Sequence, residues 1–180
     1  MGTGVDLLLQ ARSGGAGSWP SMFGPEAAGS VDSVDRPAIV ATLLTERNVG
    51  DLDLLRVVTT YEIAARKMSD DGCGDVLLAC CWMLFCDGRL EDVPLIWRAK
   101  NINFDAYCYI DAAVLLPQGL DASMAVAAQA GADDLLVYLR KLLPGDMAEE
   151  ITGWRTSPFF AACPAPTSGI VDLAGWLRDG

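Results

Sequence analysis

The stretch from Asp75 to Gly131 constrains the fold most, because it reads as two helical hairpins in tandem, Asp75 to Asn101 and Asp105 to Gly131. An offset of thirty positions lays Asp75 on Asp105, Leu84 on Val114, Phe85 on Leu115 and Leu90 on Leu120. The same offset pairs Glu91 with Asp121, Val93 with Ser123 and Ile96 with Val126. Each copy has an apolar run, a short turn (Asp87-Gly88-Arg89 or Pro117-Gln118-Gly119), an acidic residue and a second apolar run. A helix pair of this size cannot bury its whole apolar face alone and must stack on a neighbour. The expected fold is all-α, a short right-handed α-solenoid of helical hairpins, with an irregular helical bundle as the alternative.

Before the hairpins, Val5–Ala11 predicts a short helix, and Ser13 to Asp35 is rich in Gly, Ser and Pro and therefore irregular. Trp19, Met22 and Phe23 are poor residues for a free linker, so this segment is expected to lie across the body with those side chains docked. Asp35-Arg36-Pro37 has the form of a helix start, with Asp as N-cap and Pro in the first turn, and the helix runs to about Arg47. Asn48-Val49-Gly50 breaks it and Asp51 caps the next. There Leu54, Val58, Tyr61, Ala65 and Met68 form one apolar stripe, with Glu62 and Arg66 four apart on the flank. The run Val76–Cys86 is apolar on nearly every face, which predicts a helix buried on all sides. Pro94 is tolerated because it falls in the first turn of its helix. Beyond Gly131, Asp133–Leu143 reads as a helix with Leu135, Leu139 and Leu142 inward, followed by one from Asp146 to about Trp154. Thr156–Gly169 carries three prolines and should be extended, with Phe159 and Phe160 covering core; Ile170, Leu173, Ala174 and Leu177 then predict a closing helix over the last repeat.

The sequence Leu84-Phe85-Cys86-Asp87-Gly88-Arg89-Leu90-Glu91-Asp92-Val93-Pro94-Leu95 resembles a HEAT repeat: a small-residue turn with Asp and Arg, then Val-Pro-Leu opening the second helix. The resemblance covers one repeat, and its follower has Met124 where the proline would stand. It implies a scaffold or protein binder, enzymatic members of that family being rarer, and so bears on fold more than on function. The expected organisation is an N-terminal irregular segment (1–35) packed on the body, a HEAT-like helical domain (36–155), and a proline-rich extended segment with a capping helix (156–180).

Several function classes are excluded on composition and spacing. A net charge of −11 argues against nucleic acid, whose phosphates would be repelled, and suits a basic protein partner or a cationic small molecule. Solubility alone also accounts for such a charge. No apolar run reaches the roughly 20 residues of a membrane span, so no membrane partner is expected. The N-terminus lacks a basic n-region, and Gly2 has Asp6 where a myristoylation signal needs Ser or Thr, so a soluble, cytoplasmic protein is expected. Without histidine, or any Cys-x-x-Cys spacing among the six cysteines, neither zinc nor a His-based nucleophile system fits, and no metal or cofactor is expected. Gly14-Gly15-x-Gly17 lacks the strand, helix and lysine of a phosphate loop. Cys80, Cys81, Cys86 and Cys108, in apolar runs, are expected to behave as small buried hydrophobes.

Chemistry-bearing residues concentrate where the hairpins join, from Trp97 to Asp111. Trp97, Arg98, Lys100, Asn101, Asn103, Asp105, Tyr107 and Asp111 are the candidate binding residues. If the protein is an enzyme, Asp111, Asp105 and Tyr107 are the candidate catalytic groups. Asp105 also reads as a helix N-cap. Asp111 falls beside the inward stripe Tyr107, Ile110, Val114 and Leu115, a costly place for an unpaired carboxylate. Either it pairs with Arg98, Lys100 or a tyrosine hydroxyl and locks the hairpins, or it lines a groove walled by Trp97 and Tyr107. Two further acidic clusters, Asp70-Asp71 with Asp75 and Asp146 with Glu149 and Glu150, read as partner-attracting or as ordinary solvated turns and helix N-termini. The expected function is a non-enzymatic interaction module for a basic partner, in one form an immunity or inhibitor protein. The alternative is a small-molecule binder or enzyme using carboxylates and aromatics in a cleft at residues 97–111.

Overall fold

The computed structural model describes residues 4–24, 36–68, 74–156 and 170–179. The protein is all-α, with no strand among those residues. The helices are α1 (Gly4–Gly14), α2 (Trp19–Phe23), α3 (Arg36–Glu46), α4 (Leu52–Met68), α5 (Gly74–Asp87) and α6 (Val93–Lys100). They continue with α7 (Phe104–Tyr109), α8 (Leu120–Gln129), α9 (Asp133–Leu139), α10 (Pro144–Thr156) and α11 (Ile170–Asp179). Short 3₁₀ turns fill the gaps at Val49–Asp51, Leu90–Asp92 and Ala112–Leu115.

Helix α5 is the centre, as its uninterrupted apolar run requires. Every residue from Asp75 to Phe85 is buried, and the helix packs against α3, α4, α6 and the Ala112–Leu115 turn. Two polar ties bring α10 to it. The Trp82 indole donates to the Trp154 carbonyl at 2.7 Å, and the Arg155 guanidinium lies 4.7 Å from the Phe85 ring centroid while donating to the Pro117 carbonyl. Gly88 (φ 74°) and Gly119 (φ 92°) supply the left-handed turns between the paired helices, a conformation a side chain would strain. The second turn lies against the first, because the Gln118 side-chain amide donates to the Gly88 carbonyl at 2.8 Å.

The arginines fix the N-terminal half. Asn48 accepts from Gly50 N–H while Asp51 reaches back to Asn48 N–H, each at 2.9 Å, so Asn48 is the cap and Asp51 its reciprocal partner rather than the cap itself. Asp51 also pairs with Arg12 at 2.6 Å, which pins α1 to the α3–α4 corner. On α4, Leu54 and Val58 face the core as expected, but the buried face turns further than the stripe implied, through Leu55, Thr59 and Glu62. Glu62 is buried because two arginines neutralise it, Arg66 from its own helix at 2.9 Å and Arg36 from α3 at 3.0 Å.

Several expectations need correction. The segment after residue 13 is not wholly irregular: α2 forms a helical turn, although Met22 and Phe23 are docked and the Trp19 indole donates to Ala11 O, as the residue types implied. The C-terminal helix does not cover the last repeat. Leu173, Ala174 and Leu177 of α11 are buried, and α11 packs on α3, whose Ile39, Val40, Ala41, Thr42 and Leu43 are all buried among α1, α4, α5 and α11. The long first helix of the second hairpin is broken at Ile110-Asp111 into α7 and a 3₁₀ turn. The expected roles of Asp35, Asp70, Asp71, Phe159 and Phe160 fall outside the described residues, as do Cys73 and Cys163.

Candidate functional site

The break after α7 follows from local backbone chemistry. Asn103 caps α7, accepting from Ala106 N–H at 2.8 Å, so Asp105 is not the cap and stands exposed in the first turn. At the other end, the Asp111 carboxylate accepts from Ala113 N–H at 2.7 Å and starts the 3₁₀ turn. A short acceptor side chain of this kind competes with the helical hydrogen-bond ladder and ends it. The carbonyls released at the end of α7 need donors, and Lys100 of α6 provides them. Its ammonium donates to Tyr107 O and to Ile110 O, the latter at 2.5 Å.

Lys100 is only 3% exposed, a costly position for a cation. Three features offset the lost hydration: the two carbonyls, the partial negative charge at a helix C-terminus, and two aromatic faces. The ammonium lies 4.6 Å from the Tyr107 ring centroid and 5.7 Å from that of Tyr138 on α9. Tyr138 packs in turn on Trp97, with centroids 4.8 Å apart, and meets Tyr107 edge-on at 5.9 Å. Burial pushes the Tyr138 hydroxyl up to about 12, helped by Tyr107 and by Asp111 nearby. The Trp97 indole donates to Asp134 Oδ2 at 2.8 Å, and that bond holds the Asp134 carboxyl below its ordinary range.

The structure thus joins Trp97, Lys100 and Tyr107 of the expected set. Asn101 closes α6 by donating to Trp97 O at 3.1 Å, while Arg98 and Asp105 are exposed. The expected partners of Asp111 were Arg98, Lys100 or a tyrosine hydroxyl; its observed hydrogen bond is to backbone. Sequence reasoning missed Tyr138 and Asp134. Both were detectable, since Tyr138 stands three after inward Leu135, and a buried indole N–H needs an acceptor.

A second polar junction lies at the same, C-terminal end of α7, through its last residue Tyr109. Asp75, grouped from sequence with solvated acidic turns, is buried at the start of α5. One of its oxygens accepts from the Tyr109 hydroxyl and the other from the Trp176 indole at 2.8 Å. Among the thiols, Cys80 and Cys81 are buried; burial pushes Cys80 far up and half-buried Cys86 to about 11. Cys108, expected to be buried, is exposed, because α7 buries only Ala106.

What α7 turns outward is an arc of Tyr107, Phe104, Cys108 and Asp105 around the side opposite Ala106. Phe104 is 78% exposed and Tyr107 40%, and exposed Val137 adjoins Tyr138 on α9. Asp133 and Asp134 stand at one end of α9, and Arg140 and Lys141 follow its other end. Among the described residues, no three acidic or cysteine side chains gather as a metal site, and no helix is long and apolar enough to cross a membrane. Comparison with models of protein families, with curated proteins and with solved structures finds no match to this chain.

Proposed function

We propose that the protein is a non-enzymatic interaction module, built on two stacked HEAT-like hairpins, that engages a basic partner protein through the outer face of α7 and the adjoining edge of α9. The observation that carries this reading is the exposure of Phe104, three residues from Tyr107 on the same side of a helix tied from below by the Asn103 cap, Lys100 and Asp75. Exposed aromatics on a fixed backbone are the side chains from which binding hot spots are made. Charge supports a basic partner. Arg12, Arg36, Arg47, Arg56 and Arg66 are paired with the protein's own carboxylates, and Lys100 and Arg155 donate to carbonyls. Much of the small cationic complement is therefore engaged by the protein's own groups, and the net charge of −11 steers association with a basic partner.

The small-molecule alternative needs Asp111 or Asp105 as its working carboxylate. Asp111 is engaged in capping and Asp105 faces solvent, so the interaction reading stands first. An immunity or inhibitor role is one form of it. The test is affinity capture from the native host on immobilised wild-type protein and on Phe104→Ser. A basic protein retained by the first, released by added salt and lost from the second, supports the proposal. Retention that ignores both salt and Phe104 contradicts it.

A further inference from the structure

Helix α7 is six residues long and fully buries only Ala106, so apolar packing contributes little to holding it. Its position depends on polar ties: the Asn103 cap, the Lys100 ammonium on its C-terminal carbonyls, and the Tyr109 hydroxyl on Asp75. The last tie is shared. The same carboxylate receives the indole of Trp176, from a helix 101 residues further along the chain that packs on α3. Asp75 is 7% exposed, so water is a poor substitute for either donor.

We infer that Asp75 couples the docking of the C-terminal helix α11 to the placement of α7, so that release of α11 loosens the face carrying Phe104 and Tyr107. The indole fixes the rotation of the carboxylate and thereby aims its other oxygen at Tyr109. Withdrawing α11 removes that constraint and opens the carboxylate to water. Coupling of this kind is reciprocal, so a partner that orders α7 also tightens α11 on α3. The consequence for partner binding rests on the reading of α7 as the docking face; the coupling itself does not.

Amide hydrogen exchange on the full chain without any partner tests the coupling alone. Trp176→Phe keeps an aromatic cover but removes the donor, and Tyr109→Phe does the same from the other side. The expected result is faster exchange at the Tyr107 and Ile110 amides of α7 in Trp176→Phe, by about fivefold or more. Faster exchange of α11 in Tyr109→Phe should accompany it, with α8 unchanged. The double variant should exchange more slowly than the product of the single effects, because both remove one shared interaction. Loosening of α11 in Trp176→Phe with α7 unaffected overturns the inference, as does acceleration of α7, α8 and α9 alike. If the coupling holds and capture is insensitive to Phe104, the docking reading fails and the coupling survives.

Discussion

The side-chain amide of Gln118 donates to the carbonyl of Gly88 at 2.8 Å, joining the turn that follows α5 to the turn that precedes α8, thirty residues apart. One side-chain bond thus registers the second hairpin on the first at the left-handed residue that makes the first turn possible. Gln118→Ala removes one exposed hydrogen bond and should cost about 0.5–1 kcal/mol. Gly88→Ala, at φ 74°, should cost about 1–2 kcal/mol through backbone strain. Urea denaturation with unchanged slope checks both; equal effects would remove the distinction between contact and strain.

Lys100 is the centre of the seam, and its role is to satisfy carbonyls. Lys100→Met keeps the length and apolar stem but leaves two acceptors at the end of α7 without their ammonium. A loss of about 1–3 kcal/mol for each acceptor left unsatisfied is expected, measured by chemical denaturation. A variant as stable as wild type would show that water or relaxation replaces the ammonium without cost.

Glu62 is buried between Arg36 and Arg66. Breaking such an arrangement from the carboxylate side leaves two cations facing each other. Glu62→Gln should therefore destabilise by about 3 kcal/mol, discounted toward 1–2 kcal/mol because both arginines are part-exposed. Replacing Arg36 by Met should cost less than Glu62→Gln, since Arg66 remains. Thermal unfolding of the two variants decides the order.

How much of this was legible in the sequence follows element by element. The apolar run of α5, the proline in the first turn of α6 and the docked Met22 and Phe23 are local patterns with single physical readings, and they hold. The break after α7 was hidden because Asp111 competes for a backbone donor only two residues away, while the stripe around it reads as continuous helix. Asp75 looked like a solvated helix N-terminus, and its partners lie 34 and 101 residues away, beyond any periodicity. The placement of α11 on α3 was likewise invisible, because an amphipathic helix names the face it buries but not the surface it covers. Trp97, Lys100 and Tyr107 were found by composition at the seam; Tyr138 was missed because it belongs to another helix.

Acid should weaken the fold through Asp51. Its hydrogen bond to Arg12 holds its carboxyl below the ordinary value of 3.8. A depressed carboxyl stabilises the fold fully above the unfolded value and loses that contribution as pH falls through the folded one. Asp87 has the opposite sign: burial raises its carboxyl, so its contribution is greatest at low pH and lost as pH rises past 3.8 through the folded value. The Tm gap between wild type and Asp51→Asn should therefore be wide at pH 7 and close below about pH 3.8. A gap independent of pH would mean that the Arg12 pair contributes nothing as a charge pair.

In a Cys73→Ser, Cys163→Ser background, Cys108 should react with a disulfide reagent in the native state. Cys80 and Cys81 should react only on unfolding, and Cys86, pushed to about 11, slowly at neutral pH. Rapid native labelling of two or more thiols would contradict the burial of α5.

The central claim is that the outer face of α7 docks a basic partner. Its most direct measurement is the Kd of the captured partner, by titration calorimetry, for wild type, Phe104→Ser and a control, Val49→Ser, which alters an exposed apolar side chain on the Val49–Asp51 turn. The account predicts a loss of about tenfold or more for Phe104→Ser, an unchanged Kd for Val49→Ser, and unaltered melting for both. A Kd insensitive to Phe104, or equally weakened by Val49→Ser, would contradict it.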